Sequence, residues 1–184
     1  MGCATDADPF NVVRGWRKWD AGVHRCAVSQ ADLERTVISL SADIAASLIA
    51  HARAEAPNEC CGVIGGRDGR ATAVHRATNT AASPVMYAMD SQEQMRLLAA
   101  IEAAGDDLLG IYHSHTRSAA VPSRTDVQLA FFRRALYVII SLADANAPVI
   151  RAFYLRREKP YDEAITEVPV VIDSSTSDPT RPGR

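Results

Sequence analysis

The chain has 184 residues, is 47% apolar and carries a formal charge of -2 at pH 7, from 20 basic and 22 acidic residues. That size and apolar share support one domain with its own core and exclude general disorder. The scattered arginines exclude the basic footprint of a nucleic-acid-binding protein, and no run reaches the roughly 18 apolar residues of a membrane helix.

Residues 1–35 mix glycine, aspartate, arginine and two tryptophans without clear periodicity and read as an N-terminal extension. Its Met-Gly-Cys start lacks the apolar run of a signal peptide, so neither export nor lipidation is expected and a cytoplasmic protein is. Cys3, Cys26, Cys60 and Cys61 offer no Cys-x-x-Cys spacing, and neighbouring cysteines rarely bridge, so reduced thiols are expected. The folded domain is expected over residues 36–172. "TVISLS" reads as a strand, and Ser41 caps a helix reaching about Glu55, with Ile44, Leu48 and Ala52 on one face and Pro57 closing it. "CCGVIGG" and "ATAVHRAT" are strands joined by the turn "RDGR". "VMYAM" reads as a further strand. Asp90 with Glu93 forms a capping box for a helix carrying Met95, Leu98 and Ile101. "LLGIYHS" is a strand, "SRTDVQLAFF" begins a helix, and "ALYVIISL", "VIRAFYL" and "ITEVPVVI" are β-rich. Residues 173–184 are polar and read as a flexible C-terminal tail. Helices interleave with strands, several of them joined by hairpin-length turns, which predicts an α/β fold with a mixed sheet and helices packed on it.

The chemistry concentrates in "YHSHTRSAAVPSRTDVQL", residues 112–129. Side chains alternate along a strand, so His113 and His115 face one way and Ser114 the other. Two imidazoles about 7 Å apart at a strand end can converge on one ion. Asp126, from the first turn of the next helix, can close a site of two nitrogens and one oxygen that leaves a fourth position for water. Zinc in such a site lowers the pKa of water to about 7. Taken singly, each histidine also fits an ordinary strand residue, and Ser123 with Asp126 fits a helix capping box. A hydrolase needs a base as well. Glu59, in "APNECCGVIGG", lies between a helix-stopping proline and an apolar strand, where sites collect, although an exposed loop glutamate fits the segment too. His51 and His75 read as solvated side chains on a helix and a hairpin.

Glu59, then His113-Ser-His115, seven residues, Ser123, two residues and Asp126 reproduce the pattern of the JAMM (MPN+) metallopeptidases. "HARAEAPNECCGVIGG", "TNTAASPVMYAMDSQEQM" and "GIYHSHTRSAAVPSRTDVQLA" resemble the compact bacterial branch of that family, which acts on ubiquitin-like sulfur-carrier proteins. The resemblance implies a curved mixed sheet flanked by helices, with a cytidine-deaminase-like architecture. It implies one zinc ion per chain on His113, His115 and Asp126, Glu59 as general base and then acid, and Ser123 as donor to the oxyanion. It further implies a partner with a Gly-Gly C-terminus from which cysteine or extra terminal residues are cleaved, and leaves a homodimer open. Cys60 departs from the usual Glu-x-Cys-Gly run, and both it and Cys61 are expected to be buried strand residues. "ASPVMY" and the loop Thr116 to Pro122 are expected to wall the groove for the tail. The alternative is a non-catalytic MPN-type scaffold binding a ubiquitin-like partner, which the complete Glu, His, His, Ser, Asp set disfavours. A zinc deaminase would need His-x-Glu and Pro-Cys-x-x-Cys, and neither occurs.

Overall fold

The computed structural model describes residues 37–173. The N-terminal extension, His24, Cys3, Cys26 and all of the C-terminal tail after Asp173 lie outside the described residues. Strand β1 (Ile38–Ser41) runs straight into helix α1 (Ala42–Glu55), whose first turn is capped as expected: the Ser41 hydroxyl accepts from the Ile44 amide at 3.2 Å. Ala45, Leu48, His51 and Ala52 form its buried face. His51 is thus not the solvated side chain expected. It is 4% exposed, and its Nδ1 lies 2.9 Å from the Tyr112 hydroxyl in the layer between α1 and the sheet. A polar ring is expected at the surface, but the buried Tyr112 hydroxyl gives this one a partner. His75 lies on the hairpin as expected but is half-buried rather than fully solvated.

Strands β2 (Cys61–Arg67) and β3 (Arg70–Ala77) form the anticipated hairpin. Both turn residues, Asp68 (φ 50) and Gly69 (φ 76), take the left-handed conformation that lets a two-residue turn follow the twist of the strands. After it, "VMYAM" is irregular backbone rather than a strand. The carbonyl of Ala88 accepts from the Thr80 amide and hydroxyl, and its amide donates to the side chain of Asn79, so one backbone amide and two side chains stand in for a ladder partner. Helix α2 (Ser91–Ala103) starts at Asp90, which accepts from the Glu93 amide at 2.9 Å. The reciprocal half of the expected capping box is replaced, because the Glu93 carboxylate accepts instead from the amide and hydroxyl of Thr78. Leu98 and Ile101 are buried and Met95 is half exposed.

The long central strand β4 (Asp107–His115) pairs antiparallel with β2 and parallel with β5 (Leu136–Ser141), separated from it by the short helix α3 (Arg124–Gln128). Strand β6 (Val149–Leu155) follows antiparallel to β5. The run "ITEVPVVI" is two strands, β7 (Ile165–Val168) on β6 and β8 (Val170–Asp173) on β1, divided at Pro169. Proline lacks the amide that would continue the ladder, and its carbonyl instead accepts from Ile38 at 3.0 Å.

The sheet order is β7-β6-β5-β4-β2-β3-β1-β8. Its two edge strands are separated by one residue of sequence, and consecutive Cα atoms lie only about 3.8 Å apart. Opposite edges must therefore come together, and the mixed eight-stranded sheet is curved and nearly closed. Inside it Val63, Ile111, Tyr137, Ile139 and Phe153 form the core with Ile101 of α2 and Val127 of α3, while α1 covers the other face. The strand carrying His113 and His115 is thereby buried on both sides.

Candidate active site

The end of β4 is held by neighbours on either edge, with His113 opposite Cys61 of β2 and Ile139 of β5, and His115 opposite Ser141. Alternation directs the two imidazoles to one face, their Nε2 atoms 3.2 Å apart, while Tyr112 and Ser114 point to the other. The Ser114 hydroxyl there accepts from the Cys60 amide at 2.8 Å, and its own amide donates to the Cys60 carbonyl at 3.1 Å. Helix α3 brings Asp126 against the pair, Oδ1 at 3.3 Å from His113 Nε2 and Oδ2 at 3.7 Å from His115 Nε2. The capping box of α3 is complete: the Asp126 carboxylate accepts from the Ser123 amide at 2.6 Å, and the Ser123 hydroxyl accepts from the Asp126 amide at 3.1 Å. Both readings of this segment hold together, because the cap is what orients the carboxylate.

One donor atom each from His113, His115 and Asp126 lies within 4.8 Å of the others. A backbone carbonyl, which can only accept, lies 2.8 Å from His115 Nδ1 at Ala119. The proton of the neutral ring therefore sits on Nδ1 and Nε2 offers its lone pair to the site. Burial disfavours the charged form of His113 and lowers its pKa despite the adjacent Asp126. His115 is raised, since the Asp126 carboxylate and the Ala119 carbonyl outweigh the opposing effect of burial. For Asp126 burial pushes upward, but the hydrogen bonds from both imidazoles and from Ser123 prevail and hold it well below the usual carboxylate range. Two imidazole nitrogens and one ionised carboxylate converge on one point, where a cation would take the place of the protons that the imidazoles share with Asp126. That donor set fits a divalent metal ion.

Glu59 stands just before β2. Its amide donates to the Ser83 carbonyl and its carbonyl accepts from the Asn79 side chain, both at 2.9 Å. It is 5% exposed, not the exposed loop residue its local sequence also allowed. Burial raises its pKa to about 7, with His115 opposing and Asp126 reinforcing the shift. The structure thus gathers His113, His115 and Asp126 at one point and sets Glu59 within their electrostatic reach, while Ser123 opens the helix that carries Asp126. Cys60 and Cys61 are buried, and burial pushes their thiols up to about 11 and about 12, so both stay protonated, poor ligands and poor nucleophiles.

Three residues at the site escaped the reading of the sequence. Tyr87 stacks on His113 with ring centroids 4.6 Å apart. Ser114 ties β4 to Cys60. Asn79 anchors Glu59. Of these, Tyr87 had a signal as the last residue of the expected groove wall "ASPVMY", and Ser114 in its place on the reverse face between two histidines. Of the expected groove walls, Val85 and Met86 are exposed in one and Val121 in the other.

The family of prokaryotic homologs of the JAB domain matches residues 41–156. A CysO-cysteine peptidase of Mycobacterium tuberculosis is 40% identical over 136 residues, covering 73% of this chain and 90% of that protein. A desampylase of Haloferax volcanii is 46% identical over 111 residues, 56% of this chain and 80% of the relative. The solution structure of a protein from Desulfitobacterium hafniense superposes with a TM-score of 0.67 at 34% identity, covering 76% of this chain and 94% of the other. With the match spanning β4, α3 and the segment that carries Glu59, the chain belongs to the JAB/MPN family, in its prokaryotic JAMM-type branch.

Proposed function

We propose that the protein is a zinc metallopeptidase that hydrolyses the amide after the C-terminal Gly-Gly of a small ubiquitin-like sulfur-carrier protein, releasing cysteine or trimming terminal residues. The observation that carries this reading is a buried carboxylate, Glu59, raised to about 7 beside the convergent His113, His115 and Asp126. Such a pairing of ligand set and tuned base suits hydrolysis near neutral pH. The relatives named CysO-cysteine peptidase and desampylase support the substrate class.

His113, His115 and Asp126 would hold the zinc, with Ala119 and Ser123 orienting two of the three through hydrogen bonds. A zinc ion there supplies Lewis acidity, lowering the pKa of water to about 7 and polarising the scissile carbonyl. Glu59 accepts a proton from the attacking water as its oxygen bonds to the carbonyl carbon. The Ser123 hydroxyl accepts from the Asp126 amide and would turn its proton to the developing oxyanion. Glu59 then returns the proton to the amine nitrogen as the C–N bond breaks, which frees the amine and leaves the carrier with a C-terminal carboxylate. An extended Gly-Gly tail lying between "ASPVMY" and Thr116 to Pro122 would bring its last carbonyl to this point, with Val85, Met86 and Val121 as apolar contacts. None of these steps needs a membrane or a nucleic acid. No helix among the described residues is long and apolar enough to cross a membrane, and the reading places the reaction in the cytoplasm.

The test is to incubate the purified protein with a carrier–cysteine adduct and follow intact mass. Loss of one cysteine residue's mass, abolished by a strong chelator and restored by zinc, is expected. An unchanged adduct would discard the substrate, and turnover indifferent to chelation would discard the metal.

A further inference from the structure

The side chain of Asn79 uses its full hydrogen-bonding capacity. Its Nδ2 donates to the carbonyl of Glu59 at 2.9 Å and to that of Met86 at 3.1 Å, and its Oδ1 accepts from the amides of Ala81 at 3.0 Å and Ala88 at 3.1 Å. A carboxamide has two N–H donors and an oxygen with two lone pairs, so all four positions are filled. Three of the four bonds close the loop between β3 and α2 upon itself, and the fourth leaves that loop for the backbone of the candidate base. A second strut runs beside it, from the Glu59 amide to the carbonyl of Ser83 in the same loop. The loop also carries Tyr87, stacked on His113, and the exposed Val85 and Met86.

We infer that Asn79 is a positioning residue that locks Glu59 and the loop of residues 80–89 into one rigid unit, so that the apolar wall offered to a protein substrate and the base that serves the reaction share one position. This rests on the peptidase reading for its consequence in catalysis, but the mechanical link stands on the hydrogen bonds alone. Its chemistry sets it apart from general loop packing. Aspartate at 79 has the same shape and keeps both acceptor bonds, to Ala81 and Ala88, yet turns a carboxylate toward the carbonyls of Glu59 and Met86. The loop's own closure is then largely preserved while the strut to Glu59 becomes repulsive.

The experiment compares wild type, Asn79→Asp and Asn79→Ala by amide hydrogen exchange in the full chain, together with zinc content and steady-state hydrolysis of the adduct. In Asn79→Asp the amides of Ala81 and Ala88 should keep their protection, while the Glu59 amide, whose bond to the Ser83 carbonyl relies on the alignment that Asn79 sets, should exchange at least about tenfold faster and amides in β4 should not change. Zinc content should be that of wild type. The kcat should fall by about 10²-fold with a much smaller change in KM, as expected when a catalytic group is displaced by about an ångström. In Asn79→Ala all three amides should lose protection and KM should rise as well. Should the alanine variant fail to fold, the aspartate variant decides alone. Wild-type kcat with undiminished Glu59 protection in Asn79→Asp would overturn the inference, as would faster exchange spread evenly over β4. If wild type leaves the adduct intact, the functional reading falls, and the exchange pattern still decides the link.

Discussion

Glu59 is where burial and chemistry meet most closely. A carboxylate at a pKa of about 7 is a far better proton acceptor at neutral pH than one at 4.5, and the shift comes first from desolvation. The base must be ionised to act, so kcat/KM is expected to rise with pH through the pKa of Glu59, which burial raises toward 7 and the charge of a bound zinc lowers, read from a pH–rate profile. A profile with no acidic limb would mean that Glu59 is not the base. Glu59→Gln should retain zinc and lose hydrolysis by about 10²- to 10⁴-fold. The same shift has a sign in stability. Because the folded-state pKa is raised, the contribution of the neutral carboxyl is fully present below the unfolded value of 4.5 and is lost as pH rises through about 7. Metal-free Glu59→Gln should therefore match wild type at pH 4 and exceed it at pH 8, by up to about 3 kcal/mol in denaturant melts. Equal stability at both pH values would show that the carboxylate is not desolvated. The convergence of His113, His115 and Asp126 was legible in the sequence because two alternating imidazoles and a carboxylate one loop later have a spacing that chemistry dictates, whereas Glu59 was open to a bland reading and Ser123 took its role only from the family resemblance. Asn79 was not legible, since what it does depends on which carbonyls and amides the folded chain brings around it.

At the scale of elements, the sheet leaves little freedom around β2. A Cβ on Gly62 would run into the backbone carbonyl of His75 and approach the Tyr112 hydroxyl to 2.6 Å. Neither can retreat: the first belongs to a paired strand, and the second is engaged by His51 beneath α1. Gly62→Ala is accordingly expected to destabilise the protein by about 1–3 kcal/mol through overpacking, measured by thermal or chemical denaturation. A neutral effect would mean that β2 and β3 can part without cost. Hairpins, caps and apolar strands were readable because each is decided within a few residues. "VMYAM" was misread for the opposite reason. Its β-branched and aromatic residues suit a strand, but no neighbouring edge is open to it, and Asn79 and Thr80 take up its backbone groups instead. His51 was misread likewise, since its partner Tyr112 lies 61 residues away.

The whole molecule depends on how the sheet closes. Pro169 did mark a break within "ITEVPVVI", but the local pattern could not reveal that the two halves travel to opposite edges. Only pairing shows it: β8 lies parallel to β1 over four residue pairs, Ile38 with Val170 through Ser41 with Asp173. Asp173 adds a bond from the Ser39 hydroxyl at 2.6 Å and one from Arg70 at 2.8 Å, though the latter is exposed and contributes little. Strand β1 leads directly into Ser41 and α1, which covers the sheet behind β4, so β8 supports the site from a distance. Ending the chain at Val168 would strip β1 of that partner and open a sheet edge whose amides and carbonyls then face water or another chain. At about 1 kcal/mol per lost hydrogen bond, a destabilisation of a few kcal/mol is expected, with a concentration-dependent tendency to associate. The proposed metal ligands sit on β4 and α3, outside this edge, so the fraction that remains folded should bind zinc with unchanged stoichiometry. Denaturant melts with zinc analysis at two protein concentrations separate the two effects. A truncated chain as stable as the whole would show that the sheet needs no closing strand, and one that is stable yet metal-free would show that β8 shapes the site itself.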